Sequence, residues 1–278
     1  FKYYKSIKQS YIKMKSTLNQ IEDIKKNGFS LDFATVFNHA FENYKKIALY
    51  SGLIILVFSI IAAVAFMGIM IVYFGAEAMT KDFIQNFENQ QFTSIQLVIQ
   101  TVAVSLVAGI TAPFGAGFLK MADSADKDIE FNVSTIFTYY KAPYFAQIFV
   151  AAFIPAILGT AIANLIESSG IVFVGNIISF MVSYFMYLSI PLIVFGNLKA
   201  IDAIKSSLII VTKNPLNIFA FFIIGFLGSM VGFIACCVGV IFTVVFNSSM
   251  IYATYFAIFG TESEEEDSID SIGRYDVD

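Results

Sequence analysis

Long charge-free apolar runs alternate with short polar stretches along most of this chain. Residues 47–74 give 28 consecutive positions without a charge, where about 20 suffice to cross the hydrocarbon of a bilayer. Comparable runs predict spans at about 95–119, 144–166 and 171–197. The last apolar region, 216–259, is too long for one crossing. It reads as a hairpin turning near Cys236–Gly239, with spans at 216–235 and 239–259.

The polar stretches carry their own period. Phe29, Phe33, Val36, Phe37, Ala40, Phe41 and Tyr44 recur at helical spacing and form a broad apolar face. Ser30 or Asp32 is placed to cap that helix. This amphipathic lead runs directly into the first span. Its opening DFATVF, residues 32–37, matches NVSTIF, residues 132–137, type for type at an offset of 100 residues. DAIKSS at 202–207 is a looser third copy in the same position before a span. The predicted fold is all-α, a polytopic membrane helical bundle of six transmembrane helices. It is laid out as three repeats of an amphipathic surface helix plus a helical hairpin.

Three regions follow. Residues 1–28 form a basic amphipathic helix, 29–260 the six-span membrane domain, and 261–278 an acidic tail. In the first region Tyr4, Ile7, Tyr11, Met14, Leu18 and Ile21 make one stripe, with Lys2, Lys5, Lys8, Lys13 and Lys15 mostly off it. Such a helix can lie on an anionic membrane surface, dock on a partner, or pack on the protein's own cytoplasmic side. Residues 1–46 lack the continuous apolar core of a cleavable signal sequence. Within the spans, Pro113 with Gly115 and Gly117 predicts a kink or a close helix approach. Pro155 and Pro191 mark two further interruptions, and Gly228 and Gly232 form a GxxxG step.

Composition sharpens the membrane reading. The chain of 278 residues is 58% hydrophobic and 14% charged, against roughly 25% charged in soluble domains. With 31 Phe and no Trp, Phe and Tyr must supply any interfacial belt. The net charge of −4 comes from the tail, because eight of the 21 acids follow Gly260. The rest has 16 Lys and 13 acids, a net of +3. Glu264, Glu265, Glu266 and Asp267 can therefore dock a basic partner or the lysines of the first helix, or simply form a solvated end.

Lysine placement predicts orientation. Nine Lys precede the first span, one follows it, three lie between spans two and three, none between three and four, and three between four and five. That alternation puts both termini and all three surface helices in the cytoplasm.

Chemical motifs are few. His39 is the one histidine, on the polar flank of the lead, where a solvated interface role is expected. The proposed spans contain no charged residue, which disfavours proton relays and ion coupling. Asn164, Asn176 and Asn247 read as interhelical hydrogen-bonding residues. No phosphate loop, nucleophile elbow or metal-ligand spacing is present. The expectation is therefore no enzyme, no cofactor, no metal and no nucleic acid.

The six-span plan, with AIDAIKSSLIIVTKNPLNIF between spans four and five, is similar to a broad group of bacterial inner-membrane proteins. These are of the YciC-like and glycerophosphodiester-phosphodiesterase membrane-domain type. An A-x-x-x-S helix before a long apolar hairpin carries the likeness, and Ala203 and Ser207 match it. The resemblance implies a multi-pass protein of the bacterial inner membrane, and the catalytic phosphodiesterase domain has no counterpart here. The function expected is an accessory or scaffolding subunit of an inner-membrane complex, with membrane lipids and other subunits as partners. The alternative is a transporter or channel for a neutral or lipid-like solute.

Overall fold

A computed structural model describes residues 16–75, 80, 93–167, 172–235 and 238–260. All regular structure among them is helical. Residues 16–27 form α1; then come α2 (Phe33–Phe74), α3 (Ser94–Asp126) and the single turn α4 (Val133–Ile136), followed by a 3-10 turn, Thr138–Tyr140. Next are α5 (Tyr144–Glu167), α6 (Val172–Phe185), α7 (Ser189–Val194), α8 (Ala200–Lys213) and α9 (Pro215–Met230). The 3-10 stretch Val231–Ala235, α10 (Val238–Thr243) and α11 (Phe246–Phe259) complete the order. Six segments are long and apolar enough to cross a membrane.

The expected division of the first unit into a surface helix and a separate span does not occur. Asp32 caps α2 by accepting the Thr35 N–H at 2.7 Å. No Gly or Pro then interrupts the chain before Gly52. The result is one helix of 42 residues, about 63 Å long. Its covered part is the first half. Val36, Ala40, Asn43, Ile47, Ser51 and Ile54 form its buried stripe, and no side chain from Ile55 to Val72 is buried. Phe33 and Phe37 rest on the last hairpin, at 5.5 Å from the Phe221 ring and 6.4 Å from that of Phe246.

The other two leads differ in form. Asn132 caps its helix by accepting the Ser134 N–H at 3.0 Å, but α4 ends after four residues. The third lead is the 14-residue α8. Residues 16–27, the described part of the N-terminal helix, pack on the bundle through Thr17, Ile21 and Ile24.

Span two also overruns its predicted end at Leu119. Helix α3 continues to Asp126, so Lys120, Asp123 and Asp126 belong to it rather than to a polar loop. Asp128, at φ 51°, ends it in a left-handed conformation that returns the Ile129 N–H to Ser124 O at 2.8 Å.

Close approaches occur where a side chain is missing. A Cβ on Gly117 would stand 2.4 Å from the Ile136 carbonyl oxygen, whereas one on Gly115 would meet nothing within 4 Å. A Cβ on Gly228 would meet the Phe246 ring at 2.3 Å, and one on Gly232 the backbone of Gly239 and Val240 at 2.2 Å. Gly117→Ala should therefore destabilise the protein by about 1–3 kcal/mol, read as a lowered Tm in detergent. Gly115→Ala should leave Tm unchanged, and equal effects of the two would refute the contact.

Candidate functional site

Span four is discontinuous. Helix α6 stops at Phe185, a turn occupies 186–188, and α7 restarts at Ser189. Backbone groups released this way in an apolar interior need partners. Ser207 of α8 supplies them. Its Oγ donates to Phe185 O at 2.7 Å and accepts the Leu188 N–H at 3.1 Å. The Ser189 hydroxyl donates back to Met186 O at 2.7 Å. Ala203 and Ser207, both fully buried, thus sit on the face of α8 that seals the break, and the small Ala203 side chain permits that packing.

Beside the break lies a cavity of about 320 Å³ between α5 and α6–α7. Pro155, Gly159 and Thr160 line one wall, and Ser179, Ser183 and Met186 the other. No charged side chain lines it. A second cavity, about 330 Å³ and almost wholly apolar, lies between α2 and the last hairpin, against Phe37, Phe41, Tyr44 and Phe246.

Charged groups gather elsewhere, where α2 and α11 meet the end of α3. Asn43 donates to Ala122 O at 2.7 Å, and Lys46 Nζ donates to Ala125 O at 2.9 Å, so α2 caps the carbonyl end of α3. Asn43 also accepts the Ser249 hydroxyl at 3.0 Å. Asp126 joins the three helices, holding His39 Nε2 at 2.9 Å and the Tyr252 hydroxyl at 3.0 Å. The buried Asp123 is held between Lys120 at 2.6 Å and Lys127 at 3.0 Å. Lys46 reaches Asp128 at 2.9 Å. Burial, with Tyr144 and Asp123 nearby, pushes the Tyr139 hydroxyl far above the usual phenol range.

That arrangement is built for joining helices. Ser249 bonds Asn43 rather than His39. Among the described residues no three His, Cys, Asp or Glu side chains converge as metal ligands.

Lys5, Lys8, Lys13, Lys15, Glu264, Glu265, Glu266, Asp267, Cys236 and Cys237 lie outside the described residues. Gly117, Gly228 and Gly232 stand at helix contacts, and Gly115 faces open space. Pro113 is buried within α3, where the Tyr140 hydroxyl donates to the nearby Ile110 O at 2.9 Å. Pro155 lines the cavity, and Pro191 lies in the buried α7. Asn164 donates to Thr101 Oγ1 at 2.9 Å across α3 and α5, while Asn176 is exposed. His39 is corrected from a solvated residue to half of an interhelical pair. Its partner is 87 residues away, in a segment assigned to a loop.

No protein-family model, curated protein or solved structure matches this chain.

Ser207→Ala should strand the Leu188 N–H and the Phe185 carbonyl, costing about 1–3 kcal/mol. Hydrogen exchange at Leu188 should accelerate, and unchanged protection would show that the hydroxyl does not hold the turn. Asn43→Ala should cost a similar amount, about 1–3 kcal/mol, read as a drop in Tm in detergent. Asn176→Ala serves as the exposed comparison and should be silent.

Proposed function

We propose that this chain is an accessory or scaffolding subunit of a bacterial inner-membrane complex, with both termini in the cytoplasm. The observation that supports this reading most is the far half of α2. Phe58 is the last residue seen packing on the bundle through its ring, against Phe114 and Phe137. From Ile60 to Ile69 every apolar side chain is exposed, so the chain extends a span that its own bundle encloses only in part. The partner is a transmembrane helix of another subunit, which gains packing and van der Waals contact that lipid supplies less specifically. The lysines of the N-terminal region and the acids of the tail add cytoplasmic contacts. A three-fold plan of lead and hairpin underlies the design, supported by the matched caps at Asp32 and Asn132.

Crosslinking in native membranes tests this. In a chain with Cys236 and Cys237 replaced by Ser, a single cysteine at Val64 should crosslink to one distinct polypeptide, identified by mass. Gentle extraction should keep that polypeptide with the chain. A monomer that crosslinks to no protein would overturn the proposal.

The cavity at the broken span supports a second reading, a carrier or channel for a neutral or lipid-like solute. Discontinuous membrane helices line binding sites in many transporters, and the uncharged walls admit only uncharged cargo.

A further inference from the structure

We infer that the cavity between α5 and the broken span four binds an uncharged lipid bearing a free hydroxyl, such as a diacylglycerol. The inference rests on the second reading above and names its ligand class.

The site arises from the break itself. α5 and α6 approach through Gly159, where an added Cβ would touch Val182 at an ordinary 3.6 Å. Past Phe185 the chain leaves the α6 axis for the turn at 186–188, and the cavity lies beside that break, between α5 and α6–α7. Because the wall includes the exposed Ser179 and Ser183, the opening faces sideways, into the layer that holds the acyl chains.

The hydroxyls of the lining set the chemistry. Ser183 Oγ donates to Ser179 O at 3.0 Å and Ser189 Oγ to Met186 O at 2.7 Å. Both donors are spent, and their oxygen lone pairs remain to accept. Among the described residues the hydroxyls of Thr160 and Ser179 have no hydrogen-bond partner, so both can donate. A hydroxyl facing hydrocarbon without a partner is unfavourable. One ligand O–H, giving its proton to Ser183 or Ser189 and accepting from Ser179 or Thr160, satisfies both sets.

The same inventory excludes the ordinary phospholipids. A phosphate placed here would find no cation, and an unpaired charge in an apolar site is far costlier than an unpaired hydroxyl. The apolar body of the lipid rests on Ala156, Gly159 and Met186, which line the cavity without projecting polar atoms into it.

The test uses the full chain in phosphatidylcholine bilayers with a diacylglycerol carrying a photoreactive group on its acyl chain. Labelling should be saturable and should map to peptides from residues 151–160 and 179–190. Unlabelled diacylglycerol should compete about tenfold better than its O-acetyl ester, the loss expected for one or two hydrogen bonds. Phosphatidic acid should compete no better than the ester. Ala156→Phe should abolish labelling by filling the space. The paired change Ser179→Ala with Ser183→Ala should keep Tm while erasing the preference for the free hydroxyl, and this readout stands even if Ala156→Phe fails to fold. Competition by all three lipids alike, or labelling confined to other peptides, would overturn the inference. Leaflet-to-leaflet transfer of the same probe separates the two readings. Labelling without transfer leaves the site standing and removes the carrier function, whereas transfer without labelling here does the reverse.

Discussion

Everything at the centre of this bundle depends on how the chain satisfies its own backbone between Phe185 and Ser189. A helix broken inside an apolar layer exposes amide and carbonyl groups that neither lipid nor aliphatic side chains can bond. The Ser207 hydroxyl answers one of each, accepting from Leu188 and donating to Phe185. With that bond in place α7 can sit apart from α6, and its Leu192 and Ile193 enter the core almost completely buried. There they join Ala116 and Met121 of α3, Ile210 of α8 and Tyr252 of α11 in one cluster. The cavity lies beside the same break.

Packing density is unequal along the spans. The charged end of α3, the first half of α2 and α11 interlock through Asn43, Ser249, Asp126 and Tyr252. The far half of α2 and many residues of the first half of α3, such as Ile95, Val98 and Val107, face outward. Polar contacts concentrate where helices meet, because an amide or carboxylate is tolerated in low dielectric only with its partners assembled. Apolar side chains need no such assembly in a membrane, so they can remain uncovered.

Periodicity and hydropathy made the all-helical class and the six apolar segments legible, since 20-residue charge-free runs leave few alternatives. What stayed hidden was pairing at long range. Asp126 lay beyond the last apolar residue of span two, so nothing local marked it as His39's partner 87 residues away. Helix continuity was also understated. A change from amphipathic to apolar character at Lys46 looks like a boundary, but character alone does not end a helix; a Gly, a Pro or a cap does, and none stands there. Gly115 and Gly117 read alike in sequence, yet only the second lies against a neighbour's backbone. Ser207 was visible as part of a motif, but its role needed the broken helix beside it.

The continuity of α2 has a mechanical consequence. Its first half is pinned to the end of α3 by His39, Asn43 and Lys46, and beyond Phe58, which packs on Phe114 and Phe137, its side chains are largely uncovered. A rod of about 63 Å held along its first half, from Val36 to Ile54, fixes the direction in which its uncovered tip points. The polar junction and the uncovered apolar tip are therefore carried on one continuous helix, so the packing that sets the angle of the first also aims the second.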